Sequence, residues 1–267
     1  MSTENILAIP SNDRLKSPTL ELLADFGVTN GIQYRLSGRR LVAPGSRFPA
    51  DRWANSDVDF TLALMKSKDI VKFVGRGQIP VGIVGLDTLR EYASPGARNA
   101  PEVLLELGIG KCRLSLVAPI KDGFLAEIES DPPSWRRTLE QFRGLTIATE
   151  YPKLTRSCLD TDSSDSLEYN LNEDFTGSVE VAPEIGQADA VICIVESGDT
   201  LRDNKLKEIL PLFDSQAVLI AEPGNKKGDN PFVDAVRDRF FDSLLRQGNP
   251  DALKRKKRID ALIASLR

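Results

Sequence analysis

Histidine is absent from the 267 residues. Imidazole general bases, Ser-His-Asp and Cys-His nucleophile systems and histidine metal sites are therefore excluded. Cysteine is scarce: Cys112, Cys158 and Cys193 are an odd number, widely spaced, with no CxxC pair. That argues against a disulfide framework or a thiolate metal site, and for buried thiols in a reducing compartment. Neither sign of charge dominates. With 35 Lys+Arg against 39 Asp+Glu, the net charge of −4 offers no broad positive field for nucleic acid or an anionic membrane. No run approaches the ~20 apolar residues of a membrane span. The opening "MSTENILAIPSNDRL" has neither the basic start nor the apolar core of a signal peptide. A cytoplasmic protein with no membrane or nucleic-acid partner is the expectation.

Short apolar runs alternate with helix patterns. "NILAIP", "RRLVAP", "DFTLALM", "IPVGIVG", "CRLSLVA", "VICIV" and "SQAVLIAEP" read as strands. "SPTLELLADFG", "SKDIVKFVGRG", "LDTLREYA", "PSWRRTLEQFRG" and "FVDAVRDRFFDSLLRQG" read as helices. In the first of them Ser17 suits the N-cap, Pro18 the first turn and Gly27 the stop. "TDSSDSLEYNLNED" has little core-forming capacity and reads largely as an exposed loop. The last segment, "DALKRKKRIDALIASLR", reads as a helix with a basic run, Lys254 to Arg258, and apolar residues largely on one face. The basic run reads as a solvated face, with an anionic partner or a packing surface as the alternatives. The alternation predicts parallel α/β architecture, in which ligands lie at the carboxyl ends of strands. The length admits two lobes.

One stretch carries chemistry. "VICIVESGDTLRDN", Val191–Asn204, is a buried strand that turns through Glu196-Ser197-Gly198-Asp199-Thr200 into a helix at Leu201. A phosphate wants backbone N–H donors at a helix N-terminus and little bulk in the way. Ser197 and Thr200 add hydroxyl donors, and Gly198 lets the backbone approach closely. Glu196 and Asp199 are awkward beside a phosphate unless one of them meets sugar hydroxyls or a magnesium ion. A phosphorylated ribose needs that mixture; a plain polar turn is the other reading.

Taken in order along the chain, several segments resemble one family. "AIPSNDRLKSPTLELL", "KDIVKFVGRGQIPVGIVGLDTLRE", "LGIGKCRLSLVAP", "TIATEYPKLTRSCL", "FTGSVEVAPEIGQADAV" and "VESGDTLRDNKL" are similar to the successive motifs of ATP phosphoribosyltransferases, the first enzymes of histidine biosynthesis. The resemblance runs from about Leu7 to about Pro223. It implies a two-lobed fold like a type II periplasmic binding protein, with the active site in the cleft. Lobe I would be residues 1–115 plus 208–226, lobe II residues 116–207, and 227–267 a C-terminal helical extension. It implies transfer of phosphoribose from phosphoribosyl pyrophosphate (PRPP) to N1 of ATP, with Mg²⁺ assisting the departing pyrophosphate and no protein metal site. It also implies a homodimer and leaves room for a regulatory subunit. The stretch after Pro223 is too short and too helical for the family's C-terminal regulatory domain.

Residue roles follow from the same resemblance. Glu196, Ser197, Gly198, Asp199, Thr200 and Leu201 would hold PRPP. Glu180 would face the ribose or adenosine and act with Glu196 in catalysis. Arg14, Arg40, Lys111 and Arg113 would meet phosphates or the nucleotide, with a surface ion pair as the alternative for Arg40, Lys111 and Arg113. The chain departs from the family where Ser11 stands for a cation, Asp13 for glycine, Arg76 for an acid, Pro80 for an aspartate, Glu150 for a small hydroxyl residue and Cys193 for the aspartate that opens the loop. Glu196 is the expected substitute for that last acid. An altered transferase with another acceptor, and a non-catalytic regulatory homologue, stand as alternatives at this point.

Overall fold

The computed structural model describes residues 5–28, 41–50, 57–93, 96–120, 142–159 and 169–248. Arg40, the basic segment 251–267 and most of "PSWRRTLEQFRG" lie outside them. Two α/β units divide the chain: residues up to Gly110 with those from Gln216 onward, and Lys111–Ser215. In chain order the first unit holds β1 (Ile6–Pro10), α1 (Asp13–Asp25), β2 (Val42–Phe48), β3 (Val58–Met65), α2 (Ser67–Gly75), β4 (Val81–Gly85), α3 (Leu86–Tyr92) and β5 (Glu102–Glu106). The second holds β6 (Cys112–Pro119), β7 (Thr146–Thr149), α4 (Pro152–Leu159), β8 (Asn170–Asn172), a 3-10 turn (Val179–Val181), β9 (Ala190–Val195), α5 (Asp199–Asp203) and β10 (Leu206–Ser215). The chain then returns to the first unit with β11 (Ala217–Ala221) and α6 (Pro231–Arg246).

The first sheet has the order β2-β3-β1-β4-β11-β5. Its β1 runs parallel to both β3 and β4, and β11 runs antiparallel to β4 and β5. Apolar residues occupy both faces of its central strands, so alternate side chains feed two cores. Val81 and Ile83 of β4 join Leu219 of β11, Leu15, Leu22 and Leu23 of α1, and Phe232, Val236 and Phe240 of α6. Val84, Val218 and Ile220 point the other way, onto Ile70, Val71 and Val74 of α2 and Leu89 of α3. Each large side chain buried this way is worth about 1.5–3 kcal/mol. Gly82 permits the second packing: a Cβ there would sit 2.5 Å from Ile70 Cγ2.

The second sheet has the order β10-β6-β9-β7-β8. Parallel β7–β9 and β7–β8 pairs sit beside the antiparallel β6–β9 and β10–β6 pairs. Ala190 and Ile192 face Leu154 and Leu159 of α4. Val191, Cys193 and Val195 face Val179 of the 3-10 turn and Leu201 of α5. The sheet therefore anchors, on one face, the two short pieces that carry Glu180 and the Ser-Gly-Asp-Thr turn.

Several expectations change. Helix α1 begins before Ser17: Asn12 is the N-cap, its Oδ1 accepting from Leu15 N at 3.2 Å, and Pro18 lies inside the helix. Proline costs one helical hydrogen bond there, and the buried face of Leu15, Thr19, Leu22 and Leu23 holds the helix regardless. Part of the segment read as an exposed loop forms β8. The boundary expected between residues 207 and 208 falls inside β10, whose ladder partners are all in β6.

Candidate functional site

Strand β9 ends at Val195, and the chain leaves its carboxyl end through Glu196-Ser197-Gly198 into α5. Gly198 is the N-cap at φ +81, a left-handed conformation that side chains disfavour. A Cβ built on it meets no atom within 4 Å, so the space over the turn is open. Leu201 is buried and pins the turn to the sheet below. Asp199 does not stand as bare charge. Its Oδ2 accepts from Ser197 Oγ at 2.5 Å, and its Oδ1 pairs with Arg202 one turn on. Asp199 N donates to Ser197 Oγ at 3.3 Å, and Asn204 Nδ2 to Thr200 O at 2.8 Å. The turn is thus exposed and internally tied: its own acid is partly neutralised, and the Ser197 hydroxyl and Asp199 amide bond to the Asp199 carboxylate and the Ser197 oxygen.

A second polar region lies on the same unit. Glu180 sits in the 3-10 turn, two residues after Ser178, a non-glycine residue at φ +53. Glu150 follows β7 at its carboxyl end. Next to it, Thr149 Oγ1 accepts from Tyr151 N at 3.0 Å and lies 3.3 Å from Thr155 Oγ1, which fixes the turn into α4. Burial, and then the charge of Glu180, push the Glu150 carboxyl above its ordinary pKa. Its Oε1 is buried with no hydrogen-bond partner. Burial, followed by Glu180, Glu150 and Glu208, pushes the Cys193 thiol up to about 12. Cys193 therefore stays a thiol at neutral pH and supplies neither nucleophile nor acid.

The candidate cations behave differently. Arg113 Nε donates to Glu208 Oε1 at 2.5 Å, its Nη2 pairs with Oε2, and Ser115 Oγ adds a bond to Oε1 at 2.7 Å. The hydrogen bonds from Arg113 hold the Glu208 carboxyl below its ordinary pKa. Lys111 is exposed, with no ion-pair partner among the described residues. Arg14 belongs to the first unit. Its Nη2 reaches both oxygens of the fully buried Asp87, at 3.1 and 3.2 Å, and its Nη1 reaches Gly110 O at 3.3 Å. Thr88 Oγ1 adds a bond to Asp87 Oδ2 at 3.2 Å. So the second unit brings together the turn 196–201, Glu180 and Arg113, whereas Arg14 is engaged in a buried pair of the first. Reading the sequence for sites overlooked Asp87 and gave Glu150 no role. Both quoted segments contained them, and neither position reveals its partner without the fold.

A sequence model of the ATP phosphoribosyltransferase family matches residues 66–241. The chain is 31% identical to an ATP phosphoribosyltransferase of Parabacteroides distasonis, over 97% of this chain and 80% of that one. It is 32% identical to one of Bacteroides thetaiotaomicron, over 88% of this chain and 70% of that one. In fold it is similar to the ATP phosphoribosyl transferase HisG:HisZ complex of Thermotoga maritima, with a TM-score of 0.60 at 18% identity, covering 90% of this chain and 98% of that one. It is also similar to Tv2483 bound to L-arginine, with a TM-score of 0.51 at 12% identity, covering 93% and 86%.

Proposed function

Because the chain belongs to the ATP phosphoribosyltransferase family, we propose that its second unit holds the phosphoribosyl donor at residues 196–201 and delivers C1 of the ribose to a purine nucleotide. The reaction transfers phosphoribose from PRPP to N1 of ATP. The bond from C1 to the pyrophosphate oxygen breaks, the N1–C1 bond forms, and pyrophosphate leaves with the electron pair. The ring nitrogen attacks with its own lone pair, so no proton has to be removed first. A chain without histidine is sufficient for that chemistry. Catalysis then rests on positioning and on stabilising charge as the ribose becomes cationic and the pyrophosphate departs.

The observation that carries the assignment is the turn after β9: an open, left-handed Gly198, amides at the start of α5 and the hydroxyl of Thr200, with Ser197 holding the Asp199 carboxylate. These suit the 5′-phosphate. Glu180 is placed on the ribose, where a carboxylate both accepts from hydroxyls and favours developing positive charge. Lys111 remains a candidate for the nucleotide phosphates. Arg113, tied to Glu208, and Arg14, tied to Asp87, act by shaping their units. Magnesium is assigned to the donor's pyrophosphate. Among the described residues no three metal-ligating side chains converge, and the paired acids are engaged. When bound with the donor, the ion would neutralise the leaving pyrophosphate.

The reading extends to a homodimer in the cytoplasm with room for a regulatory subunit. In its support, the structurally similar Thermotoga enzyme is named as a complex, and no described helix is long and apolar enough to cross a membrane. The test is pyrophosphate release by the full chain with Mg²⁺. Release that needs both PRPP and ATP supports the assignment. Absence of release from a folded protein, or release with another acceptor and none with ATP, overturns it.

A further inference from the structure

We infer that Glu150 is a specificity-determining residue for the donor: beside Glu180, its carboxylate accepts a hydrogen bond from the ring hydroxyls of the phosphoribosyl group. The inference rests on the reading that the second unit takes the donor at residues 196–201.

The first ground is position. Strands β7 and β9 are parallel neighbours, with Thr149 paired to Ile192. The residue that follows β7, Glu150, therefore comes level with Cys193 towards the same carboxyl edge from which the turn 196–201 departs. Ligands of parallel α/β sheets gather at that edge. The 3-10 turn that carries Glu180 packs, through Val179, into the same core as Cys193, Val195 and Leu201. Phosphate turn, Glu180 and Glu150 are thus held by one face and one edge of one sheet.

The second ground is what Glu150 lacks. Its Oε1 is buried without a donor, and no hydrogen bond to its other oxygen is made among the described residues. Two other inward-lying acids among the described residues are each met by a guanidinium and a hydroxyl: Asp87 by Arg14 and Thr88, Glu208 by Arg113 and Ser115. An acceptor left without a donor costs stability, and a ligand that brings a donor recovers it. The third ground is chemical class. Two carboxylates repel a phosphate or pyrophosphate, which carry charge and no N–H or O–H donors when ionised. Ring hydroxyls are O–H donors and uncharged. The acid that the loop lacks at Cys193 is accordingly supplied by Glu150, from the turn after the neighbouring strand, in place of the exposed Glu196 that sequence alone nominates.

The test is isothermal titration of the full chain with ribose 5-phosphate and with 2,3-dideoxyribose 5-phosphate, which keeps the phosphate and lacks both hydroxyls. Wild type is expected to prefer the ribose compound by tenfold or more, about the range of a hydrogen bond to a charged group. In Glu150→Ala that preference falls by about tenfold, while affinity for the dideoxy compound is unchanged. Glu150→Gln, which keeps one acceptor oxygen and the side-chain volume, guards against a folding defect and retains part of the preference. An undiminished preference in both folded variants overturns the inference. So does equal binding of the two compounds to wild type, which leaves the donor site itself standing. Failure of wild type to bind either compound overturns the donor site and the inference together.

Discussion

The two units treat their inward-lying acids in opposite ways. In the first, Asp87 has no exposed surface and is met by a guanidinium through both oxygens and by the neighbouring Thr88 hydroxyl. Arg14 also donates to the carbonyl of Gly110. The result is a brace between the start of α1, the turn from β4 into α3 and the end of the first chain crossing. In the second unit Glu150 is partly buried against Glu180, a group of its own sign, and one of its oxygens has no donor at all. The buried pair of Arg14 and Asp87 braces the first unit. An unsatisfied acid at the carboxyl edge of a parallel sheet is an arrangement that stability alone disfavours, and such arrangements gather where substrates bind.

Mutations separate the two cases. Asp87→Ala strands the mostly buried Arg14, and urea denaturation is expected to show a loss of about 3–5 kcal/mol. A loss below about 1 kcal/mol would mean that Arg14 is free to serve a ligand instead. Glu150→Gln should do the reverse and stabilise. The folded-state pKa of Glu150 lies above its ordinary 4.5. Its neutral form therefore favours folding fully below 4.5, and that advantage is lost as pH rises through the folded value. The amide never ionises, so the variant is expected to melt above wild type at pH 8 and with it at pH 4. A variant less stable than wild type at pH 8 would show that Glu150 has a partner and is structural.

Arg113→Met is expected to cost less than about 1 kcal/mol, because the pair with Glu208 is partly exposed, Arg113 at 36%. Its contribution is present above the ordinary carboxylate pKa and lost as pH falls through the lowered value of Glu208. A larger loss would make the pair a brace like that of the first unit. The smallest effect is a null one. Cys193, 2% exposed and with its thiol pushed up to about 12, should not react with a thiol reagent at pH 8 in the native protein, as located by mass spectrometry. Rapid labelling would show that the β9 edge opens.

Much of this architecture was legible in the sequence because the central strands are apolar runs between turn residues, as in "IPVGIVG" and "SQAVLIAEP". Three of the four edge strands, β5, β8 and β10, escaped notice for the complementary reason. Strand β10 carries Lys207, Glu208 and Pro211, with register shifts on either side of Leu210–Pro211, which is the composition of a protected edge. The strand, turn and helix around residues 196–201 were legible because their residues are contiguous. The surroundings of Arg14 and Glu150 were not, because each depends on a residue elsewhere in the chain: Asp87 lies 73 positions from Arg14, and the charge of Glu180 acts on Glu150. Residue type announced a charge, and only the fold decided whether it was spent.

The most direct measurement is isothermal titration of the full chain with PRPP and Mg²⁺, wild type against Gly198→Glu. No atom lies within 4 Å of the new Cβ, and the left-handed φ of +81 adds strain of about 1–2 kcal/mol, so the fold of the variant is verified by circular dichroism before binding is read; its carboxylate enters the space over the turn. The account requires binding by wild type and a loss of about a hundredfold or more in the variant, comparable to removing a group of charge-assisted hydrogen bonds. Equal binding by the two proteins would place the donor elsewhere and contradict it.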